Sequence, residues 1–189
     1  MLTKNAQKLV DAFHLLSREE AELLQQYANK IPASGICVNV GAGVGTSAVC
    51  VLEKRPDLTG TFYTVDINNH DSPLGGLLNE RHAFDNYGMK YPNQIHGDSK
   101  DIGRSWKGKK VDFLIIDGDH SVDGATGDIL NWEKNLKIGA IIFVHDYEPR
   151  NWKDVFDTVN RLMLENSKYK FLECVKTYIV FKYVGKEEE

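Results

Sequence analysis

The chain has 189 residues, 42% of them hydrophobic and 26% charged, with a formal net charge of −4 and a pI near 5.9. That length and balance suit a single globular domain and exclude extensive disorder, and the acidic balance gives no electrostatic reason to expect a nucleic-acid partner. No apolar run approaches the ~20 residues that span a bilayer, and MLTKNAQKLVDAFHLLSREE at the start interleaves charges with apolar positions where a signal peptide has an unbroken core, so a cytoplasmic protein without membrane contact is expected.

In chain order, residues 2–16 space Leu2, Leu9, Val10, Phe13 and Leu16 as one apolar helix face. Ser17 and Glu20 form a capping-box pair, which predicts a second helix to about Asn29, and Pro32 and Gly35 then interrupt the chain. Residues 1–33 are read as N-terminal helices and 34–189 as a ligand-binding domain, within one globular body. From Ile36 onward short β-rich runs alternate with helical stretches. The predicted strands are 36–40, 61–66, 93–97, 111–117, 139–145, 170–175 and 178–184, and the predicted helices 46–55, 76–87, 99–106, 122–136 and 151–167. That alternation predicts an α/β, doubly wound, seven-stranded and mostly parallel sheet covered on both faces. Only Lys176 and Thr177 separate the last two strands, too few for a parallel crossover, so they are expected as an antiparallel hairpin at one end of the sheet. Cys37, Cys50 and Cys174 are widely spaced and read as buried free thiols. Lys107–Lys110 reads as a solvated loop, and residues 186–189 as a solvated end.

The segment VNVGAGVGTSA, 38–48, puts Gly41, Gly43 and Gly45 between a strand and a helix that Thr46 or Ser47 is placed to cap. A dinucleotide fingerprint would want glycine at 46, where Thr46 stands. Asp66 ends the second strand, where a carboxylate accepts hydrogen bonds from both ribose hydroxyls. Asp98-Ser99 follows the third strand, within reach of an adenine amino group, and Asp117 follows the fourth. Ligands of open α/β sheets sit at this edge, and these acids beside a glycine turn describe a cleft for an adenosine bearing positive charge.

On these residues the chain resembles the class I S-adenosylmethionine-dependent methyltransferases over about 34–185, whose sheet also closes with an antiparallel strand. The resemblance implies S-adenosylmethionine as cofactor, bound by the three glycines, Thr46, Ser47, Asp66, Asp98, Ser99 and Asp117. Asn39 stands where many relatives carry an acid facing the methionine amino group. IIDGDHS (115–121) and FVHDY (143–147) further resemble the small-molecule O-methyltransferases, the catechol, caffeoyl-coenzyme-A, sugar and macrolide types. Catechol-type enzymes hold a divalent metal by an acid after the fourth strand and an Asp-Asn pair after the fifth, with a lysine base three residues beyond the first acid. Position by position, this implies Asp117, His145 and Asp146 as metal ligands and His120 in the lysine's place.

The chemistry fits those residue types. Methyl transfer from a sulfonium is an in-line displacement, and the difficulty is to make an alcohol oxygen nucleophilic near neutral pH. A metal lowers the hydroxyl pKa and a base takes the proton, a task that suits a histidine of ordinary pKa ~6.5. An imidazole ligand favours manganese, iron or zinc over magnesium. Two alternatives stay open: His145 as the base without a metal, and Asp119 as a ligand in place of His145 or as a turn hydrogen-bonder.

For the acceptor, residues 68–88 offer His70, Asp71, Arg81 and His82 as a wall, with Gly75-Gly76 as the hinge of a lid. Tyr147, Arg150 and Trp152 offer stacking and a cation. A small molecule, a sugar or glycan unit or a small aromatic alcohol suits these groups, with the N-terminal helices or the second subunit of a homodimer closing the site. The competing readings are a cephalosporin-hydroxylase-like enzyme of the same fold, which the same motifs resemble, a non-catalytic cofactor-binding subunit, and a dinucleotide-dependent oxidoreductase.

Overall fold

The computed structural model describes residues 1–73 and 75–185; the charged end at 186–189 lies outside the described residues. Two helices, α1 (Lys4–Phe13) and α2 (Arg18–Ala28), precede an alternation of β1 (Cys37–Val40), α3 (Thr46–Lys54), β2 (Phe62–Asp66), α4 (Leu77–Asn86), β3 (Asn93–His96), α5 (Ser99–Ser105), β4 (Val111–Ile116), α6 (Val122–Glu133), β5 (Leu136–Val144), α7 (Lys153–Val159), β6 (Tyr169–Val175) and β7 (Tyr178–Tyr183). The strands form one sheet in the order β3-β2-β1-β4-β5-β7-β6. The five strands β1–β5 pair in parallel, and β7 is antiparallel to both β5 and β6. The expected hairpin is present, and its second strand is inserted between β5 and the edge strand β6.

Period-two alternation along the strands supplies both faces of the sheet. Cys37, Phe113, Ile115 and Phe143 point to the face covered by α1, α2 and α3, while Val38, Val40, Leu114, Ile116, Ile142 and Val144 point to the face covered by α6 and α7. Phe143 is fully buried and meets Tyr27 of α2 and Tyr178 of β7 edge to face, with ring centroids 5.4 and 5.3 Å away. Removing such a ring costs about 3–5 kcal/mol. The N-terminal helices share this core and are fixed by polar contacts as well. Glu53 of α3 accepts the Asn5 and Ala6 N–H groups at 3.0 and 2.9 Å, supplying the cap that Thr3 does not.

The structure departs locally from the sequence reading in three places. Strand β5 starts at Leu136 because a register shift opposite Val111–Phe113 is absorbed at Gly139, whose φ is +92°. The helix expected over 151–167 is instead α7 followed by a π-helical turn at Asn160–Leu164. Cys37 and Cys50 are buried, as expected, but Cys174 is exposed because it lies on the edge strand. Among the described residues no helix is long and apolar enough to cross a membrane.

Candidate active site

A cleft of about 790 Å³ opens at the carboxyl ends of the parallel strands, lined by the turns after β1, β2, β3, β4 and β5, within the size range of small-ligand sites. Gly41 begins it with φ +90°, and a Cβ there would stand 1.9 Å from the Asp117 carbonyl oxygen, so two strand ends approach as only glycine allows. Asp66 Oδ2 accepts the Ala42 N–H at 2.7 Å and Oδ1 accepts the Asn68 N–H at 2.7 Å, which fixes the carboxylate at the cleft wall. Helix α3 has Gly45 at its N-cap and no side-chain cap, and the buried Thr46 hydroxyl beside it has no partner. The first-turn N–H groups of α3 carry the positive end of the helix dipole.

Asp98 and Ser99 follow β3. Asp98 Oδ1 accepts the Lys100 N–H at 2.8 Å as the N-cap of α5, and Ser99 donates its hydroxyl to Asp128 on α6. Asp119 also has a defined place. Its carboxylate accepts the Ser121 N–H at 2.9 Å and the Ser121 hydroxyl at 3.0 Å, while that hydroxyl accepts the Gly124 N–H at the start of α6. These bonds, the Ser121 N–H first, hold the Asp119 pKa below the usual carboxylate range. Asp119 hydrogen-bonds the turn that presents His120.

Four ionisable groups then converge. His120 Nε2 lies 2.9 Å from Asp146 Oδ2 and 3.9 Å from Asp117 Oδ1, yet it is buried without an aligned hydrogen bond. Asp117, His120 and Asp146 offer ligand atoms that all lie within 4.8 Å of one another. Asp146 adopts φ +56°, a left-handed conformation uncommon outside glycine that turns its carboxylate back toward both imidazoles. Beside Asp117 and Asp146 the His120 pKa rises to about 9 against the effect of burial. Trp152 covers His120, with ring centroids 4.2 Å apart.

His145 is enclosed. Burial disfavours its charge, but Asp117, hydrogen-bonded to its Nδ1 at 3.1 Å, and Asp146 at 3.3 Å outweigh that and raise its pKa to about 11. Its Nε2 lies 3.8 Å from Glu20 of α2. Glu20 is itself buried and accepts the Thr177 N–H and hydroxyl at 2.8 and 2.7 Å, tying the N-terminal helices to the β6–β7 turn.

The cleft brings together Gly41, Gly43, Thr46, Ser47, Asp66, Asp98, Ser99, Asp117, His120, His145 and Asp146. Two expected cofactor residues are not at its wall. Asn39 is fully buried on the opposite side of β1, where Nδ2 donates to the Gly41 carbonyl at 2.8 Å. Gly45 packs on Glu80 and Ala83 of α4. Most of the residues expected to wall an acceptor pocket lie outside the cleft. From 68–88, Asn68 reaches the cleft, but His70, Asp71, Arg81 and His82 do not line it. The Gly75-Gly76 pair packs on the glycine turn: Gly76 donates to the Gly43 carbonyl at 2.9 Å, and a Cβ on Gly75 would stand 2.4 Å from Gly43. Tyr147 stacks on Phe156 outside the cleft, and Arg150 does not line it. Their place is taken by His14, Leu15 and Leu16, the link between α1 and α2. The sequence signal for that link was its apolar Leu15-Leu16 pair placed between two amphipathic helices. Asp128 was the other residue missed, since an acid within a helical pattern reads as surface.

The strand order, the glycine turn after β1 and the acid ending β2 define a class I, Rossmann-like methyltransferase fold. The chain belongs to the methyltransferase domain family, which matches residues 38–147, more than half of its length. Solved structures agree on the fold. The O-methyltransferase TomG of Streptomyces achromogenes, involved in tomaymycin synthesis and bound to S-adenosylmethionine, superposes with a TM-score of 0.72 at 15% identity over 98% of this chain and 92% of its own. The Podospora anserina methyltransferase PaMTH1, bound to S-adenosylhomocysteine, gives 0.71 at 17% identity over 97% and 85%. The O-methyltransferase NovP gives 0.70 at 14% identity over 89% and 81%.

Proposed function

We propose that the protein transfers the methyl group of S-adenosylmethionine to an oxygen of a small molecule, a sugar unit or a small aromatic alcohol, with a divalent cation held by Asp117, His120 and Asp146. The observation that carries this reading is the convergence of those three side chains in the same cleft as the glycine turn and Asp66. When bound, the cofactor supplies an electrophilic methyl on a sulfonium and the cation lowers the pKa of an alcohol beside it. The donor set suits both groups. Two carboxylates and an imidazole whose buried Nε2 lacks an aligned partner are the ligands of a manganese, iron or zinc site. The unpartnered Thr46 hydroxyl and the uncapped start of α3 suit the cofactor's carboxylate.

In this reading Asp66 accepts from the ribose hydroxyls. His120 is a ligand and no longer the leading base: an imidazole with a pKa of about 9 keeps its proton at neutral pH, and a cation displaces it. His145, enclosed by Asp117, Asp146 and Glu20 and outside the ligand cluster, is neither base nor ligand in this reading; its Nδ1–H orients the Asp117 carboxylate. Trp152 offers a flat wall to the acceptor, and Leu15 and Leu16 add apolar surface at the cleft.

Calorimetric titration with S-adenosylhomocysteine and with NAD, each with and without Mn²⁺, tests the cofactor. NAD binding in place of S-adenosylhomocysteine overturns the assignment. Methyl transfer to a panel of sugars and aromatic alcohols then tests the site, which is wrong if Asp117→Ala and His120→Ala both leave the rate unchanged.

A further inference from the structure

Asp128 lies in the middle of α6, 1% exposed, with its carboxylate at the cleft wall between Ser99 and Gly118. One oxygen receives the Ser99 hydroxyl, and the other, Oδ2, is buried with no hydrogen-bond partner. A Cβ on Gly118 would stand 3.1 Å from Oδ2, so the turn after β4 leaves room for this acid. A half-satisfied buried carboxylate does nothing for the fold that an apolar side chain would not do better. Its neighbour Asp98 is already engaged, with Oδ1 on the Lys100 N–H and Oδ2 3.8 Å from the Lys100 ammonium.

A serine hydroxyl has one proton to donate and lone pairs to accept with. When the proton is committed to Asp128, Ser99 Oγ can only accept. We propose that Asp128 is a positioning residue that sets this polarity, so that Ser99 selects a purine carrying a 6-amino donor over one carrying a 6-oxo acceptor. The inference rests on the cofactor reading above and extends it to base specificity. Opposing two acceptors in a desolvated cleft leaves both unpaired, the kind of mismatch that polar sites reject most strongly. Burial raises the Asp128 pKa to about 6 against the Ser99 hydrogen bond, so the acid is ionised and accepting in mildly alkaline buffer.

The test is calorimetric titration of the full chain, in mildly alkaline buffer, with S-adenosylhomocysteine and with its 6-oxo analogue S-inosylhomocysteine. The wild type is expected to prefer the 6-amino ligand by about tenfold or more. Asp128→Ala should narrow that ratio to within about threefold, because the freed hydroxyl can rotate to donate. Ser99→Ala should narrow it equally with Asp128 in place, which covers the case that Asp128→Ala does not fold. The double variant should narrow it no further, since both residues act through one hydroxyl. Equal weakening of both ligands in the single variants, or an unchanged ratio, overturns the inference. A wild type that binds both ligands alike overturns it while sparing the cofactor reading, and a wild type that binds neither overturns both.

Discussion

His120 Nε2 and Asp146 Oδ2 lie 2.9 Å apart without hydrogen-bond alignment, although the residues stand on separate loops after β4 and β5. The approach depends on Asp146 holding a left-handed φ of +56°, a conformation that costs an L-residue about 1–2 kcal/mol. In the proposed reading both atoms are ligands of one divalent cation, which would give the His120 nitrogen a partner and hold the Asp146 carboxylate in this turn.

Electron paramagnetic resonance of added Mn²⁺ therefore separates a ligand from a base at position 120. His120→Ala should abolish tight Mn²⁺ binding and lower methyl transfer by about two to four orders of magnitude. Retained Mn²⁺ binding with lost transfer would return His120 to the role of base. Chelation of wild type should abolish transfer reversibly.

Asp66 meets two backbone N–H groups and the cleft at once. Hydrogen bonds to a charged group are worth about 1.5–3 kcal/mol, so Asp66→Ala should weaken S-adenosylhomocysteine binding by about 10–100-fold in calorimetry. A change below about twofold would remove it from the ribose.

Trp152 covers His120 at the cleft wall, on the side that the proposed reading gives to the acceptor. Aromatic contacts contribute about 0.5–1.5 kcal/mol, so Trp152→Ala should raise the acceptor KM by about 2–10-fold while Kd for S-adenosylhomocysteine stays constant. The outcome against this is a weakened cofactor with an unchanged acceptor KM.

Glu80 is fully buried beneath the glycine turn, accepting from Thr64 and Gln94 at 2.8 Å each, and burial raises its pKa to about 7. An acid whose folded pKa exceeds its unfolded value stabilises the fold below the unfolded pKa and loses that contribution as pH rises through the folded one. Thermal stability should thus decline between about pH 4.5 and pH 7 by about 3 kcal/mol from this group. Glu80→Gln should flatten the decline in a Tm-against-pH series. An unchanged slope would assign the pH dependence to other groups.

Glu20 joins three parts of the molecule, capping α2 through Ser17, holding Thr177 and facing His145. Its pKa is held below the usual range, because the Ser17 and Thr177 bonds outweigh the burial that would raise it. Glu20→Ala should cost about 2–3 kcal/mol and lower the Tm by about 5–10 °C. A change of under about 2 °C would show that the N-terminal helices are held by apolar contacts alone.

The β/α alternation, the parallel sheet, the terminal hairpin and the acids at the strand ends were legible in the sequence, because they are written in local periodicity and in spacing within a turn. Gly41 and Asp66 could be placed from their position after a strand, and Ser17 with Glu20 from the capping box. The tertiary structure alone decided that β7 inserts between β5 and β6, since strand order depends on pairing between residues distant in the chain. It also separated the two histidines. Both follow strands and both stand beside acids, but His145 is sealed among Asp117, Asp146 and a glutamate from α2, whereas His120 keeps a buried nitrogen free of aligned bonds. Likewise Asp119, exposed at the cleft, commits its carboxylate to its own loop, while Asp128, eight positions from His120, presents a buried one at the cleft wall. Sequence spacing sets which chemistries are available at a strand end; which side chain is desolvated, and which neighbour then shares or takes its proton, is set by packing from elsewhere in the chain.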